Sequence, residues 1–217
     1  SKIQVFVLFG LDGVDSSDSV MLVALDRVHQ KIKLISLARD SYVFIPEFAS
    51  FSKLAYSYTW GGAAMAVKNL NYNYYLNVSD YIAVNFDQLA QIIDRIGGVT
   101  VNIDEDEARY LSGYPNVHVG DCLLDGETAV SYARIRKSSA TDSDRKRTGR
   151  QREVILSILN TLQTMPLSQY PGFVRDCLGM CATSFEAETL LTMAAETLGK
   201  NYTVEQYFFP EGQVDWW

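Results

Sequence analysis

The chain has 217 residues, a net charge of −7 and an isoelectric point near 4.8. That balance excludes the dominant basic face of a DNA-binding domain. A hydrophobic share of 47% excludes disorder, and no apolar run approaches the ~18–20 residues that span a bilayer. One domain over residues 1–217 is the simplest expectation. No secretory signal leads the sequence, and a strand-like run is under way by Ile3. A leader or membrane anchor is therefore expected upstream.

Ile3 to Phe9 is a continuous apolar run of strand length, which predicts a buried strand. It ends in a loop holding Asp12, Gly13, Asp15, Ser16 and Asp18, followed by a second strand from Val20 to Leu25. Residues 26–30 predict a turn and Ile32 to Leu37 a third strand, which runs into Ala38-Arg39-Asp40. If these strands are neighbours, their ends deliver Asp12, Asp18, Arg39 and Asp40 together, where ligands gather in open α/β sheets. Paired aspartates can hold a hard divalent cation. Asp, Ser and Gly are also ordinary loop residues, and both readings stand at this point.

Phe44 to Pro46 reads as extended. Ser52 to Trp60 reads as a short helix or loop ending at Gly61-Gly62, and Ala63 to Leu70 as a helix. Residues 71–75 predict a tyrosine-rich loop. Tyr81 to Val84 predicts a strand, Phe86 to Ile96 a helix stopped by Gly97-Gly98, and Val99 to Ile103 a strand. Asp104 to Glu107 reads as a solvated acidic run, and residues 110–121 as irregular. A helix starting at Asp125-Gly126 carries Ala129, Val130 and Tyr132 into Arg134 and Arg136. A polar linker fills 137–143. Leu167 to Cys181 is a weaker helical stretch, a last helix runs from Ser184 to Leu198, and Val204 to Phe209 is the final strand, stopped by Pro210. Strands alternating with helices, with one early hairpin, predict a mixed α/β fold: one central mixed sheet flanked by helices on both faces. The three cysteines, Cys122, Cys177 and Cys181, have no zinc-site spacing, and an odd number cannot pair fully within one chain.

Between Arg134 and Arg152 stand eight of the 19 Lys and Arg residues, beside two of the 26 acids. A basic island on an acidic chain suits a local anionic ligand, and clustered guanidinium groups suit phosphate or carboxylate. Thr148-x-x-Gln151 has the pattern of a capping box, and Asp144 could cap an earlier start. Apolar residues at helical spacing continue to Leu162. Arg147, Arg150, Gln151, Val154 and Ile158 share one face of that helix. The face begins with donors and becomes apolar. By itself it reads sooner as a core helix with a solvated basic first turn than as a site for a phosphate head with an apolar tail.

Read together, the motifs resemble those of the LytR-CpsA-Psr family of bacterial cell-envelope proteins. They are Leu8-Phe-Gly-Leu-Asp12, Ser17-Asp18-Ser-Val-Met-Leu-Val, Leu34-Ile-Ser-Leu-Ala-Arg39-Asp40 and Lys53-Leu-Ala-Tyr56 before Gly61-Gly62. Further on stand Tyr81-Ile-Ala-Val-Asn85-Phe86, Ile96-Gly-Gly-Val-Thr-Val-Asn and Leu124-Asp-Gly-Glu through Arg134-Ile-Arg136. Asp142-Ser-Asp144-Arg145-Lys-Arg147-Thr-Gly-Arg150-Gln151 closes the set. Their order and spacing cover nearly the whole chain.

The resemblance implies a phosphotransferase that moves a glycopolymer from a polyprenyl-pyrophosphate carrier to a peptidoglycan acceptor. It implies Mg²⁺ (or Mn²⁺) at Asp12 and Asp18, and pyrophosphate binding by Arg39, Lys53, Arg134, Arg136, Arg147, Arg150 and Gln151. An internal hydrophobic pocket involving Phe86, Val154 and Ile158 would take the lipid. The setting it implies is the extracytoplasmic face of the bacterial cell membrane, with membrane association through a missing N-terminal segment and no nucleic acid partner. Hydrolysis of the carrier diphosphate, and a non-catalytic carrier-binding or transcriptional attenuator role, are the alternatives. Two departures stand out. Gly13 and Ser16 occupy places where family members commonly carry arginine, and Ala38 replaces the usual proline before Arg39-Asp40.

Overall fold

The structure, a computed structural model, describes residues 2–13, 16–136, 143–198 and 202–210. Most of the expected polar linker, with Asp142, lies outside the described residues, as does the side chain of Asp144. In chain order come β1 (Ile3–Leu11), β2 (Ser17–Asp26), β3 (Lys31–Leu37), β4 (Tyr42–Ile45), β5 (Ser50–Lys53), α1 (Tyr56–Tyr74) and β6 (Asp80–Asn85). Then follow α2 (Phe86–Arg95), β7 (Val99–Ile103), α3 (Glu105–Tyr110), β8 (Gly120–Leu124), α4 (Gly126–Arg134) and α5 (Ser143–Thr164). The chain ends with α6 (Tyr170–Met180), β9 (Ala182–Thr183), α7 (Ala187–Leu198) and β10 (Thr203–Phe209). No helix among the described residues is long and apolar enough to cross a membrane.

Within the chain two compact units can be described. The first holds Ser1–Asn85, Ala182–Phe185 and Tyr202–Trp217; the second holds Phe86–Cys181 and Glu186–Asn201. The first is built on a six-stranded mixed sheet in the order β10-β3-β2-β1-β6-β9. β1, β2 and β3 form an antiparallel meander, β6 lies parallel to β1, and β10 lies parallel to β3. β2 is central and buried from Val20 to Asp26, which is why its sequence is a continuous apolar run without polar alternation. Val7 and Phe9 of β1, Val20 and Leu22 of β2, and Leu37 of β3 share one core with Ala63, Ala66, Val67 and Leu70 of α1. The spacing of two on the strands and of three or four on the helix follows from their geometries. Gly62 breaks the start of α1 at φ 64°, ψ −161°, a conformation that residues with a Cβ rarely adopt.

The second unit packs α2, α4, α5 and α6 around the β7–β8 pair, with a core that includes Ile93, Val99, Leu111, Tyr132, Ile135, Val154 and Ile158. α2 and α4 approach so closely that a Cβ on Gly126 would lie 2.1 Å from the Ala90 carbonyl oxygen. Asp125 caps α4 through the Thr128 N–H at 2.9 Å, and Asp94 accepts the Gly126 N–H at 2.7 Å.

Four local expectations need correction. Residues 71–74 are the last turn of α1. The acidic run at 104–107 opens α3 with a capping box, and Glu107 is buried. Residues 120 and 121, expected to be irregular, open β8. Thr148 is no cap, because α5 begins at Ser143 and the Thr148 hydroxyl donates back to the Arg145 carbonyl at 3.0 Å.

Candidate functional site

In the first unit, β1, β2 and β3 are neighbours, so the C-terminal end of β1, the N-terminal end of β2 and the C-terminal end of β3 meet at one edge. Val20 faces Leu37 across the ladder, which sets Asp18 beside Arg39. The two form an ion pair, with Arg39 Nη1 donating to Asp18 Oδ1. Asp40 takes Lys53 Nζ at 2.9 Å, and this raises the affinity of the lysine ammonium for its proton. Arg39 Nε lies 3.7 Å from Asp40 Oδ2, too far for a hydrogen bond, and that buried N–H has no acceptor among the described residues. A buried guanidinium N–H without an acceptor is what an anionic ligand's oxygen would satisfy.

The backbone around this cluster is tied down. Arg39 and Ser41 carbonyls accept the N–H groups of Ala55 and Leu54 at 2.9 Å each. Ala38 donates to the Phe209 carbonyl at 2.9 Å, extending the β3–β10 ladder by a bond that proline could not make. Asp12 stands exposed at the hairpin end, its N–H donating to Ser16 at 3.1 Å and its carboxylate accepting the Ser16 N–H at 3.4 Å. Among the described residues, no group of three or more His, Cys, Asp or Glu is placed to hold a metal ion. Asp12 and Asp18 offer two carboxylates, which is the number Mg²⁺ takes when phosphate oxygens and water complete its shell. The donor set fits that ion shared with a phosphate ligand.

The second unit holds the basic residues that surround Ile135. Arg134 ends α4, and its guanidinium lies 4.5 Å over the ring of Phe86, a cation–π contact. Ile135 is fully buried and fixes the backbone between Arg134 and Arg136, both exposed. From α5, Arg150 donates through Nη1 to the Ile135 carbonyl at 3.1 Å and through Nε to Glu107 at 2.6 Å. Arg150 is 5% exposed and Arg147 3%. Gln151 carries a buried Oε1 with no donor among the described residues.

This arrangement separates residues that look alike in the sequence. Arg150 spends two of its nitrogens inside the unit, holding the segment that carries Arg134 and Arg136. Val154 and Ile158 are packed core residues, and Phe86 serves as the face on which Arg134 rests. A cleft of about 270 Å³ in this unit is lined by Asp94, Gly98, Asn116, Leu123 and Asp125, and by none of the residues expected to meet lipid. Sequence reasoning missed Glu107, the buried partner of Arg150. The Asp104-x-x-Glu107 spacing was its available signal, because Glu107 also accepts the Asp104 N–H at 3.0 Å as half of the capping box.

Comparison with known proteins fits these motifs. A polyisoprenyl-teichoic acid–peptidoglycan teichoic acid transferase TagU from Oceanobacillus iheyensis is 30% identical over 204 residues, covering 89% of this chain and 62% of that protein. The chain spans between 48% and 66% of the length of such curated relatives. Among solved structures, TagT bound to LI-WTA superposes with a TM-score of 0.82 at 23% identity, over 96% of this chain and 79% of that one. TagT with bound octaprenyl pyrophosphate lipid gives 0.77 at 21%, over 96% and 78%. At such identities these are likenesses of fold. The family model of the LytR_cpsA_psr family matches residues 2–215, and the chain belongs to that family.

Proposed function

We propose that the chain is the catalytic part of a phosphotransferase that moves a glycopolymer from a polyprenyl-pyrophosphate carrier to peptidoglycan at the extracytoplasmic face of the cell membrane, held there by a segment outside this sequence. The observation that carries this is the strand-end cluster, where Arg39 keeps a buried N–H without an acceptor among the described residues, beside Asp18, Asp40 and Lys53. Relatives named as teichoic acid transferases and a fold neighbour holding octaprenyl pyrophosphate support the substrate class.

The reaction needs charge neutralised at phosphorus. An acceptor hydroxyl oxygen bonds to the polymer-side phosphorus, the bridging P–O bond breaks, polyprenyl phosphate leaves, and the hydroxyl proton is released to solvent water. Arg39, with Lys53, binds and orients phosphate oxygens at the strand ends. Arg134, Arg136 and Arg147 of the second unit, the first two held by Ile135 and Arg150, carry the phosphate-binding role that the family resemblance implies. Donors fixed before the reaction cost no reorganisation during it, and each such contact is worth about 3 kcal/mol in the transition state. Mg²⁺ or Mn²⁺, when bound at Asp12 and Asp18, would neutralise diphosphate charge and polarise a phosphoryl oxygen.

The test is transfer from a lipid-linked donor by purified protein, with products analysed with and without acceptor glycan. Joined product in the presence of acceptor, lost on chelation and restored by Mg²⁺, is the expected result. Arg39→Ala and Arg147→Ala should each abolish it with the fold intact. Release of polymer to water at the same rate with and without acceptor would make the protein a hydrolase instead.

A further inference from the structure

The β4–β5 hairpin of the first unit exposes far more aromatic surface than packing requires. On its inner face Val43 and Ile45 are buried in the core. On its outer face Tyr42 is 71% exposed and Phe51 58% exposed, with rings stacked at 5.6 Å and 20°. Phe44 meets Phe51 edge-on at 5.3 Å. At the hairpin turn, Phe48 is 55% exposed and stands perpendicular to Trp60 at 5.1 Å, and Trp60 lies 5.5 Å from Tyr56 one helical turn away. Each ring is propped by another, so the faces are presented at fixed angles. Rigid, amphipathic ring faces are costly to leave in water and mark a binding surface.

The surroundings select the occupant. An added β-strand is disfavoured along β4, because Asn73 takes both the N–H and the carbonyl of Phe44, at 2.9 and 2.8 Å. An anionic polymer or an anionic bilayer would be drawn by surplus cations. Here Lys53 is paired with Asp40 and Lys68 with Glu47, on a chain of net charge −7. An uncharged sugar face needs no such charge, since its C–H groups pack on aromatic rings while its hydroxyls stay wet. Position points the same way. Tyr42 is the register partner of Lys53, and Tyr56 lies within electrostatic reach of it, so the aromatic surface begins at the edge of the Arg39–Asp40–Lys53 cluster.

We infer that the outer face of the β4–β5 hairpin, with Trp60 and Tyr56 of α1, is a saccharide platform that holds the acceptor glycan chain beside the strand-end cluster. The inference rests on the proposed function for the identity of the chain as acceptor. The binding itself does not depend on transfer.

Retardation in native gels containing glycol chitin measures that binding without any donor. The native chain should be retarded, and Phe51→Ala and Trp60→Ala should each bind about tenfold more weakly. Leu123→Ala, which removes an exposed apolar side chain of the other unit, should behave as native. Both aromatic positions are solvent-facing, and circular dichroism verifies that the variants are folded. Sedimentation with phosphatidylglycerol–phosphatidylethanolamine vesicles is the second arm, and there the two variants should match the native chain. No retardation of the native chain, retardation unaffected by both substitutions, or loss of vesicle binding in the variants would each overturn the platform. Unimpaired transfer by Arg39→Ala would defeat the proposed function and leave the glycan result standing.

Discussion

Arg150 and Arg134 are both arginines of the basic stretch, yet one is buried and the other exposed. Arg150 is buried against Glu107, so Arg150→Ala leaves a carboxylate unpaired in the core and should cost about 3–5 kcal/mol in chemical denaturation. Arg134→Ala removes an exposed cation–π contact and should cost within ~1 kcal/mol while transfer is lost. Measuring stability and transfer on both variants checks the division. Cys177 gives a pH prediction. Burial, with smaller contributions from Cys181 and Asp176, pushes its thiol up to about 12 from an ordinary value of 9. Folding therefore favours the protonated thiol, and this contribution to stability is whole below pH 9 and lost as the pH rises toward 12. Alkylation at pH 8 should spare Cys177 until denaturant is added. The sequence made the arginines visible as a group, because charge is additive along a chain. It could not tell Arg150 from Arg134, because burial depends on where Glu107 and Ile135 come to lie.

Elements were readable where one physical signal dominated. The apolar runs of β1, β2 and β3, the Gly97-Gly98 stop after α2 and the Asp125 cap of α4 all appear where local chemistry requires them. β8 escaped because Leu123 faces solvent and spoils the alternation of polar and apolar residues. β5 escaped because Phe51 does the same within a four-residue strand. Two substitutions test how elements are joined. Gly126→Ala drives a methyl into the Ala90 carbonyl and should destabilise the protein by about 1–3 kcal/mol through separation of α2 and α4. Ala38→Pro deletes the bond to Phe209 and should cost about 1 kcal/mol, read as a lower denaturation midpoint.

At the scale of the molecule, the meander of β1, β2 and β3 turns three separate loops into one cationic and acidic strand-end cluster, while α4 and α5 gather the remaining arginines around Ile135. The antiparallel order was foreseeable from the short loops. The diphosphate-binding role proposed for the strand-end cluster is tested by calorimetric titration of the purified chain with farnesyl pyrophosphate and Mg²⁺. Saturable binding should weaken at least about tenfold in Arg39→Ala, with farnesyl monophosphate binding less tightly than the diphosphate. Equal affinity for the native chain and Arg39→Ala is the opposite result, and it would remove Arg39 from the site.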